Sequence, residues 1–304
     1  MKAIVYEQYG SPEVLQVRDI EKPEPRSNEV LVKIYSSSIT AGDSRMRSFN
    51  VPTLTWIPAR IYLGIFKPKR SVLGMEPSGK IEAIGKDVKR FKVGDQVFAS
   101  ALNMDFGSYA EYKCIPEDGM LAVKPTNLSY SEAAVIPIGA GTALRFLRKG
   151  KIKAGQKVLI YGASGSVGTY AIQIAQYYGA DVTGVCSAGN IELVKSLGAN
   201  NVIDYTKVDF TKEGTLYDII FDTVGKIDSS KSKLSLKKAG VFLSVKGNPG
   251  KINVEDLNFL KLLSESDKLK PVVEREFSME QIIEAHRHVD KGHKRGNLVL
   301  KIAE

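Results

Sequence analysis

The sequence predicts an α/β chain in two parts: a β-rich run of short strands, and a parallel sheet covered by helices on both faces. Three observations predict it. Short alternating runs broken by Gly or Pro fill the first part of the chain. From KVLIYG onward, strands alternate with helices, the grammar of a covered parallel sheet. A turn with glycines at three-residue spacing stands directly between the first of these strands and the helix that follows.

In order along the chain, KAIVYEQYG, LQVRDIEKP and NEVLVKIYSSSI read as strands, with Val30, Val32 and Ile34 alternating with more exposed positions. SGKIEAIG, DQVFAS and GSYAEYKCI continue the pattern, and strands this short and even favour a barrel-like or folded sheet. From 48 to 70 the pattern lapses into a Pro-containing segment holding Trp56, Tyr62 and Phe66. Long segments of this kind are usually functional, and this one is read as a substrate cover. Ser129 with Glu132 forms a capping box that opens a helix and marks the changeover. Helices are then predicted over 166–178, 191–197 and 229–237, between the strands KVLIYG, DVTGVCS, NVIDY, YDIIFDTVG and VFLSVKG. The apolar runs at 158–160 and 219–221 are those of strands buried on both faces. Near the end, PVVEREF reads as a strand, Ser278 with Gln281 caps a helix through His288, and GNLVLKI closes as a strand. These last strands either extend the parallel sheet or return to the first part, and both readings stay open.

A chain of 304 residues, 43% hydrophobic and 25% charged, buries a full core and has the length of about two domains. No apolar stretch approaches the ~20 residues that span a bilayer, and MKAIVYEQYG lacks the basic-then-apolar pattern of a secretory leader. A cytoplasmic setting without a membrane partner is expected. Cys114 and Cys186 stand far apart in strand-like runs and read as small buried hydrophobes. The net charge of +9 raises nucleic acid as a partner, but the basic residues are scattered, densest at 67–70, 237–238 and 291–295, without interleaved aromatics. A solvated surface that steers an anionic cofactor fits better.

The strongest chemical signal is YGASGSVG, from Tyr161 to Gly168. Gly162 makes the sharp exit from the strand, Gly165 lets backbone approach a pyrophosphate, and Gly168 lets helix and strand pack closely, the fingerprint of a Rossmann dinucleotide site. The helix that starts there presents free N–H groups and its positive end to phosphate. NAD-selective sites place an acid at the end of the second strand; here CSAGN offers Ser187 and Asn190 instead. An uncharged pocket admits a 2′-phosphate, so NADPH is the expected cofactor. No Arg at this turn supplies the neutralising charge.

Several segments, colinear over nearly the full length, carry a resemblance: LGMEPSGKIEAIGKDVKRFKVGDQVFA, GSYAEY, SEAAVIPIGAGTAL, VLIYGASGSVGTYAIQIAQ, ELVKSLGANNVIDY, DIIFDTVG and AHRHVDKGHKRGNLVLKI. The chain resembles the medium-chain dehydrogenase/reductase superfamily, in its zinc-independent quinone oxidoreductase branch. The resemblance implies a Rossmann parallel-sheet domain at 126–267 inserted in a β-rich GroES-like catalytic domain, 1–125 plus 268–304. It also implies a cofactor in the cleft between the domains, and homodimers or tetramers. In zinc-using members a Gly-His-Glu triplet supplies a metal ligand. The matching triplet here is Gly74, Met75 and Glu76, and a thioether does not replace that imidazole. SSSITAGDS holds no cysteine ligand, and the four-cysteine lobe has no counterpart between Ala99 and Gly107, so no metal site is expected. His286, His288 and His293 read as surface histidines.

Carried over position by position, Gly162, Ser164, Gly165, Ser166 and Val167 match residues that hold the pyrophosphate, and Ser187, Asn190 and Tyr205 match the pocket of the adenosine 2′-phosphate. Thr142, Thr223, Val224 and Gly225, and the stretch from Phe242 through Ser244 to Val245, match positions beside the nicotinamide. His293, Lys294 and Arg295 correspond to a C-terminal turn that reaches back over the cofactor in some members. Two departures stand out: Thr40 replaces an asparagine common in the family, and the stretch 247–257 is shorter than the pattern whose sheet edge often contributes to the dimer. The second weakens the expectation of a homodimer.

Alcohol chemistry without a Lewis acid loses its main source of alkoxide stabilisation, whereas quinones and conjugated enones delocalise the developing charge. The expected function is therefore NADPH-dependent reduction of a quinone or other conjugated carbonyl by direct hydride transfer. Thr40, Asp43, Tyr62 and Thr142 are the candidates to orient substrate or relay a proton, with Asp43 equally readable as a buried structural carboxylate. The alternatives are an enoyl or alkenal reductase, and a non-catalytic NADPH-binding or RNA-binding protein on the same fold.

Overall fold

The computed structural model of the chain describes residues 1–51, 56–102 and 104–303. Positions 52–55 of the expected substrate cover, and position 103 in the stretch compared with the cysteine lobe, lie outside the described residues. The chain divides into two compact units, Met1–Pro137 with Val273–Glu304, and Ile138–Val272.

The first unit begins with a hairpin of β1 (Lys2–Val5) and β2 (Gln16–Asp19). It continues with β3 (Glu29–Ile39), α1 (Ala41–Ser48), α2 (Trp56–Leu63), β4 (Pro77–Ile84), β5 (Gln96–Ala99), β6 (Tyr112–Pro116), β7 (Leu121–Val123) and α3 (Tyr130–Ala134). The second unit runs through α4 (Gly139–Lys149), β8 (Lys157–Tyr161), α5 (Ser166–Tyr177), β9 (Asp181–Cys186), α6 (Ile191–Ser196) and β10 (Asn201–Asp204). It ends with β11 (Tyr217–Asp222), α7 (Ser229–Ser232), β12 (Leu236–Ser244) and α8 (Val254–Glu265). The chain then returns to the first unit with β13 (Val273–Phe277), α9 (Ile282–Asp290) and β14 (Asn297–Lys301).

The first unit's larger sheet has the order β13-β14-β3-β4-β5-β7, with β6 also paired to β3. The closing strands therefore return to the first unit, which answers the question that local pattern left open. Leu298 lies opposite Ile39 and Leu300 opposite Ser37, and Leu298, Val299 and Leu300 are all fully buried. Val30, Val32 and Ile34 of β3 join Ile81, Val97 and Ile115 in one core, as their alternation predicts. Leu31 is buried as well, so β3 departs from strict alternation there.

The second unit's sheet is wholly parallel, ordered β10-β9-β8-β11-β12. This is the doubly wound order 3-2-1-4-5, whose switch point lies between β8 and β11. Val158, Leu159, Ile160, Ile219, Ile220 and Phe221 are fully buried there, as strands covered on both faces require. Of the helix expected over 229–237 only α7 forms; a 3-10 turn follows, and β12 starts at Leu236. Asp228 caps its start, accepting from the Ser230 N–H, but Leu234 is left exposed, and a helix without an apolar face to bury gains little from packing. Among the described residues no helix is long and apolar enough to cross a membrane.

Candidate dinucleotide and acceptor sites

Three features build the turn after β8. Gly162 takes φ +80°, a left-handed conformation, and a Cβ there would lie 2.7 Å from Val224 Cγ1. The Gly162 and Ala163 N–H groups both donate to the Val185 carbonyl at 3.0 Å, and the Gly165 N–H closes the turn on the Gly162 carbonyl at 3.0 Å. A Cβ on Gly168 would sit 2.2 Å from that same carbonyl oxygen, so helix and turn meet as closely as backbone allows.

Gly165 differs from both. It is the N-cap of α5, with extended backbone and no side-chain cap, and an added Cβ would meet only the Gly162 carbonyl, at 3.4 Å. Ser164, Gly165, Ser166 and Val167 thus form a half-buried lip, open above its central glycine, at the positive end of a 12-residue helix. The N–H groups of this lip could hold a diphosphate, and a side chain at Gly165 would project into the same space.

Across the switch point, Thr223 and Val224 are set by a residue that sequence reasoning missed. Asp222, at the end of β11, is fully buried and accepts from the N–H groups of Val224 (3.1 Å), Gly225 (2.8 Å) and Ile227 (2.9 Å). Its carboxylate folds the loop into a fixed turn; the signal was an acid directly after the apolar run of a parallel strand. Thr223 donates its hydroxyl to the Tyr161 carbonyl at 2.8 Å, joining the two loops. Phe242 and Ser244 lie on β12 opposite Ile220 and Asp222, so they share the carboxyl end of the sheet with those loops. Thr142 is a half-buried residue of α4.

The structure also brings Ser187, Asn190 and Tyr205 to one end of the sheet. The Asn190 amide donates to Ser187 Oγ at 3.1 Å, and the Tyr205 N–H donates to the Cys186 carbonyl at 3.1 Å. Asp204, the acid that closes β10, is occupied by the N–H and hydroxyl of Thr206, whose hydrogen bonds hold its carboxyl below the ordinary range. Beside Tyr205 opens a cavity of about 390 Å³, whose walls include Tyr161, Phe210, Lys207, Lys226 and Lys231. Of the three residues matched to the 2′-phosphate pocket, Tyr205 lines this cavity.

In the first unit, Thr40 and Asp43 form one device. Thr40 is the N-cap of α1 and shares a capping box with Asp43. The Asp43 carboxylate accepts from the Thr40 N–H (2.9 Å), the Thr40 hydroxyl (2.6 Å) and the Gly74 N–H (3.0 Å). Burial pushes its pKa up, and the hydrogen bonds from Thr40 and Gly74 oppose that push. Met75, next to Gly74, is buried and packs against Gly42, where a Cβ would lie 2.8 Å from Met75 Cε. Tyr62 stands apart on α2, more than half exposed, with the Arg70 guanidinium 5.0 Å from its ring centre.

The C-terminal turn places Lys294 with its ammonium 3.2 Å from the Gly296 carbonyl, and the Arg295 N–H 2.9 Å from Glu274. Burial pushes the Lys294 ammonium below its ordinary range, against the pull of Glu76, Glu274 and Asp43. His293 is exposed.

The surface reading of the histidines fails at His286, which is fully buried. Arg47, itself 2% exposed, approaches its Nδ1 at 3.1 Å. A guanidinium only donates, so Nδ1 accepts and the ring proton is assigned to Nε2. Arg47 also donates to Asp290 (2.8 Å) and to the Gly10 carbonyl (3.1 Å). Burial, reinforced by the Arg47 charge, pushes the His286 pKa down to about 3. His288 is part exposed and stands 3.4 Å from Glu274. Among the described residues no three of His, Cys, Asp and Glu gather as a metal cluster.

Comparison with known proteins adds an independent line. The family described as alcohol dehydrogenase GroES-like domain matches residues 26–125, and the one described as zinc-binding dehydrogenase matches residues 166–285. A 2-methylene-furan-3-one reductase of Solanum lycopersicum is 33% identical over 99% of this chain and 79% of its own length. The quinone oxidoreductase of Homo sapiens is 30% identical over 96% of this chain and 94% of its own. The structure of the quinone oxidoreductase from Coxiella burnetii superposes with a TM-score of 0.88 at 31% identity, covering 100% of this chain and 99% of that one. With methionine where the zinc-using members place an imidazole, and with relatives of this kind matched along nearly the whole chain, the protein belongs to the medium-chain dehydrogenase/reductase superfamily, in its zinc-independent quinone oxidoreductase branch.

Proposed function

We propose that the chain is an NADPH-dependent reductase of conjugated carbonyl compounds, either quinones or α,β-unsaturated ketones and aldehydes. The observation that carries the reading is the open lip over Gly165 at the switch point of a parallel sheet, in a family whose relatives include a quinone oxidoreductase and an NADPH-dependent alkenal/one oxidoreductase. In this reading Ser164 through Val167 hold the diphosphate, and Ser187, Asn190 and Tyr205, backed by the lysine-lined cavity, hold the 2′-phosphate. Thr142, Thr223, Val224, Phe242 and Ser244 flank the nicotinamide, and Lys294 with its neighbours belongs to the same assignment.

When bound, a reduced nicotinamide would supply a hydride at these residues. The chain's own task is then to orient an acceptor whose conjugation spreads the negative charge, which asks less of the protein than an alkoxide does. The Thr40 hydroxyl donates to Asp43, so in this reading the pair both shapes the α1 loop and stands, with Tyr62 and Thr142, among the groups that orient substrate or relay a proton. The reading includes a cytoplasmic setting and a homodimer, which light scattering of the full chain tests.

Titration with NADPH and NADH, followed through nicotinamide fluorescence, tests the cofactor assignment. NADPH should bind about tenfold or more tightly than NADH, the worth of one charge-assisted contact to the extra phosphate. Gly165→Asp should abolish NADPH binding with the fold intact, because its Cβ has room but its charge occupies the diphosphate's place. Unchanged NADPH binding in that variant removes the assignment. A screen of NADPH oxidation with ortho-quinones, para-quinones and enals then separates quinone from enone reduction. Two of the relatives, a 2-methylene-furan-3-one reductase and an alkenal/one oxidoreductase, favour testing enones beside quinones. A protein that binds NADPH yet leaves every acceptor untouched is the non-catalytic alternative.

A further inference from the structure

α2 lies in the segment read as a substrate cover and carries Tyr62, but its exposed apolar face has no role in the reductase reading. None of its residues is buried, and Ile57 and Ile61, four residues apart on one helical face, are 67% and 59% exposed. Just beyond its end, Ile65 is 58% and Phe66 94% exposed.

This tip is built, not frayed. Gly64 takes φ +126°, where a Cβ would lie 2.0 Å from the Lys67 carbonyl, so only glycine makes the turn. The Lys69 N–H donates to the Leu63 carbonyl at 2.8 Å, and the Lys69 ammonium donates to the Ile61 carbonyl at 2.7 Å. The Tyr9 hydroxyl holds the Gly64 carbonyl at 3.2 Å. The Arg60 guanidinium lies 4.0 Å from the Phe49 ring centre and 5.0 Å from that of Trp56, pinning the helix. A fixed turn that holds four large apolar side chains in water marks an interaction surface.

Charge decides the occupant. Lys67 and Lys69 are exposed directly beside Phe66, and the chain carries a net charge of +9. A second copy would bring like charge to this tip, whereas an anionic lipid surface complements both the apolar and the basic side chains. Aromatic side chains at headgroup depth, with lysines reaching back to phosphate, are how a protein lies in a bilayer interface. At 8 residues the helix lies in that interface and does not cross it. We infer that the α2 tip seats this protein on an anionic membrane surface, with Ile57, Ile61, Ile65 and Phe66 at the acyl boundary and Lys67 among the headgroups.

Trp56, the only tryptophan in the chain, sits on this helix and reports on it directly. The full chain is mixed with vesicles of phosphatidylcholine alone and with vesicles that also contain phosphatidylserine. With the mixed vesicles the Trp56 emission should shift to the blue, be quenched by brominated lipid, and the protein should co-sediment, all weakening as salt rises. Phe66→Glu and, separately, Ile57→Glu should each lower partitioning about tenfold or more, the cost of carrying a carboxylate into the boundary. Both side chains are exposed, so circular dichroism should be unchanged. Lys67→Glu should reduce the preference for phosphatidylserine. Absence of binding to either vesicle overturns the inference, as does full binding by both glutamate variants. A blue shift that follows protein concentration without vesicles overturns it in favour of a second copy. The test reads lipid binding, so it stands or falls separately from the reductase assignment.

Discussion

The turn after β8 and the pocket around Arg47 solve opposite problems with opposite materials. The turn is made of backbone: three glycines, two N–H groups on one carbonyl, and an open lip. The Arg47 pocket is made of side chains far apart in sequence, with His286 239 residues away and Asp290 243. The first is fixed by what is missing, a Cβ at each critical point. The second is fixed by what is present, a buried cation with three acceptors. Where backbone packs on backbone, as at Gly168, there is no room for an addition, and the side-chain network has no spare donor to lose.

Gly168→Ala sharpens the first half of that contrast. Its methyl would meet the Gly162 carbonyl at 2.2 Å, and because backbone cannot rotate away the loss should reach about 3 kcal/mol, read by urea denaturation. Gly165→Ala, with 3.4 Å of room, should cost only a few tenths of that. Equal losses at the two positions would break the comparison.

Arg47→Ala tests the second half. It strips His286, Asp290 and the Gly10 carbonyl of a shared donor, and should cost about 3 kcal/mol, at the low end for a buried pair because Asp290 reaches solvent. A loss below about 1 kcal/mol, in the range of exposed pairs, would mean that solvent replaces the guanidinium.

A smaller effect should appear with pH. The His286 pKa is about 3 folded and near 6.5 unfolded, so the unfolded chain takes up the proton first as pH falls. Its contribution is whole above about pH 6.5 and fades below, by about 2 kcal/mol on reaching about pH 5. Asp43, whose folded pKa is raised, acts in the opposite sense: its contribution is favourable in acid and is lost as pH rises through its ordinary range. Comparing the wild-type profile with that of His286→Gln isolates the histidine. Parallel profiles would show that the folded ring takes up its proton as readily as the unfolded chain does.

The same contrast explains what could be read from the sequence. The turn from Tyr161 to Gly168 was legible because its spacing is local and each glycine answers a backbone demand within seven residues. The capping pairs Ser129 with Glu132 and Ser278 with Gln281 were legible for the same reason, and both form. The burial of His286 was not, since nothing near it announces an arginine from α1. The return of β14 to β3 was not legible in local pattern, since it depends on pairing across most of the chain, and only the family resemblance implied it. Asp222 escaped notice because its three acceptor contacts are to backbone that only folds around it once β11 is in place. Asp43 reads from sequence equally as a relay or as a buried structural carboxylate, and it is bonded to the Thr40 cap and to Gly74.

The parallel sheet of the second unit ends on β12, where Lys237 and Lys238 open the strand on its exposed stretch, and Lys237 pairs with Asp218 of the neighbouring strand at 2.7 Å. A terminal strand is a template for another chain's backbone, and ammonium groups along it make such pairing costly. Lys237 and Lys238 place such charge where the sheet stops at its fifth strand.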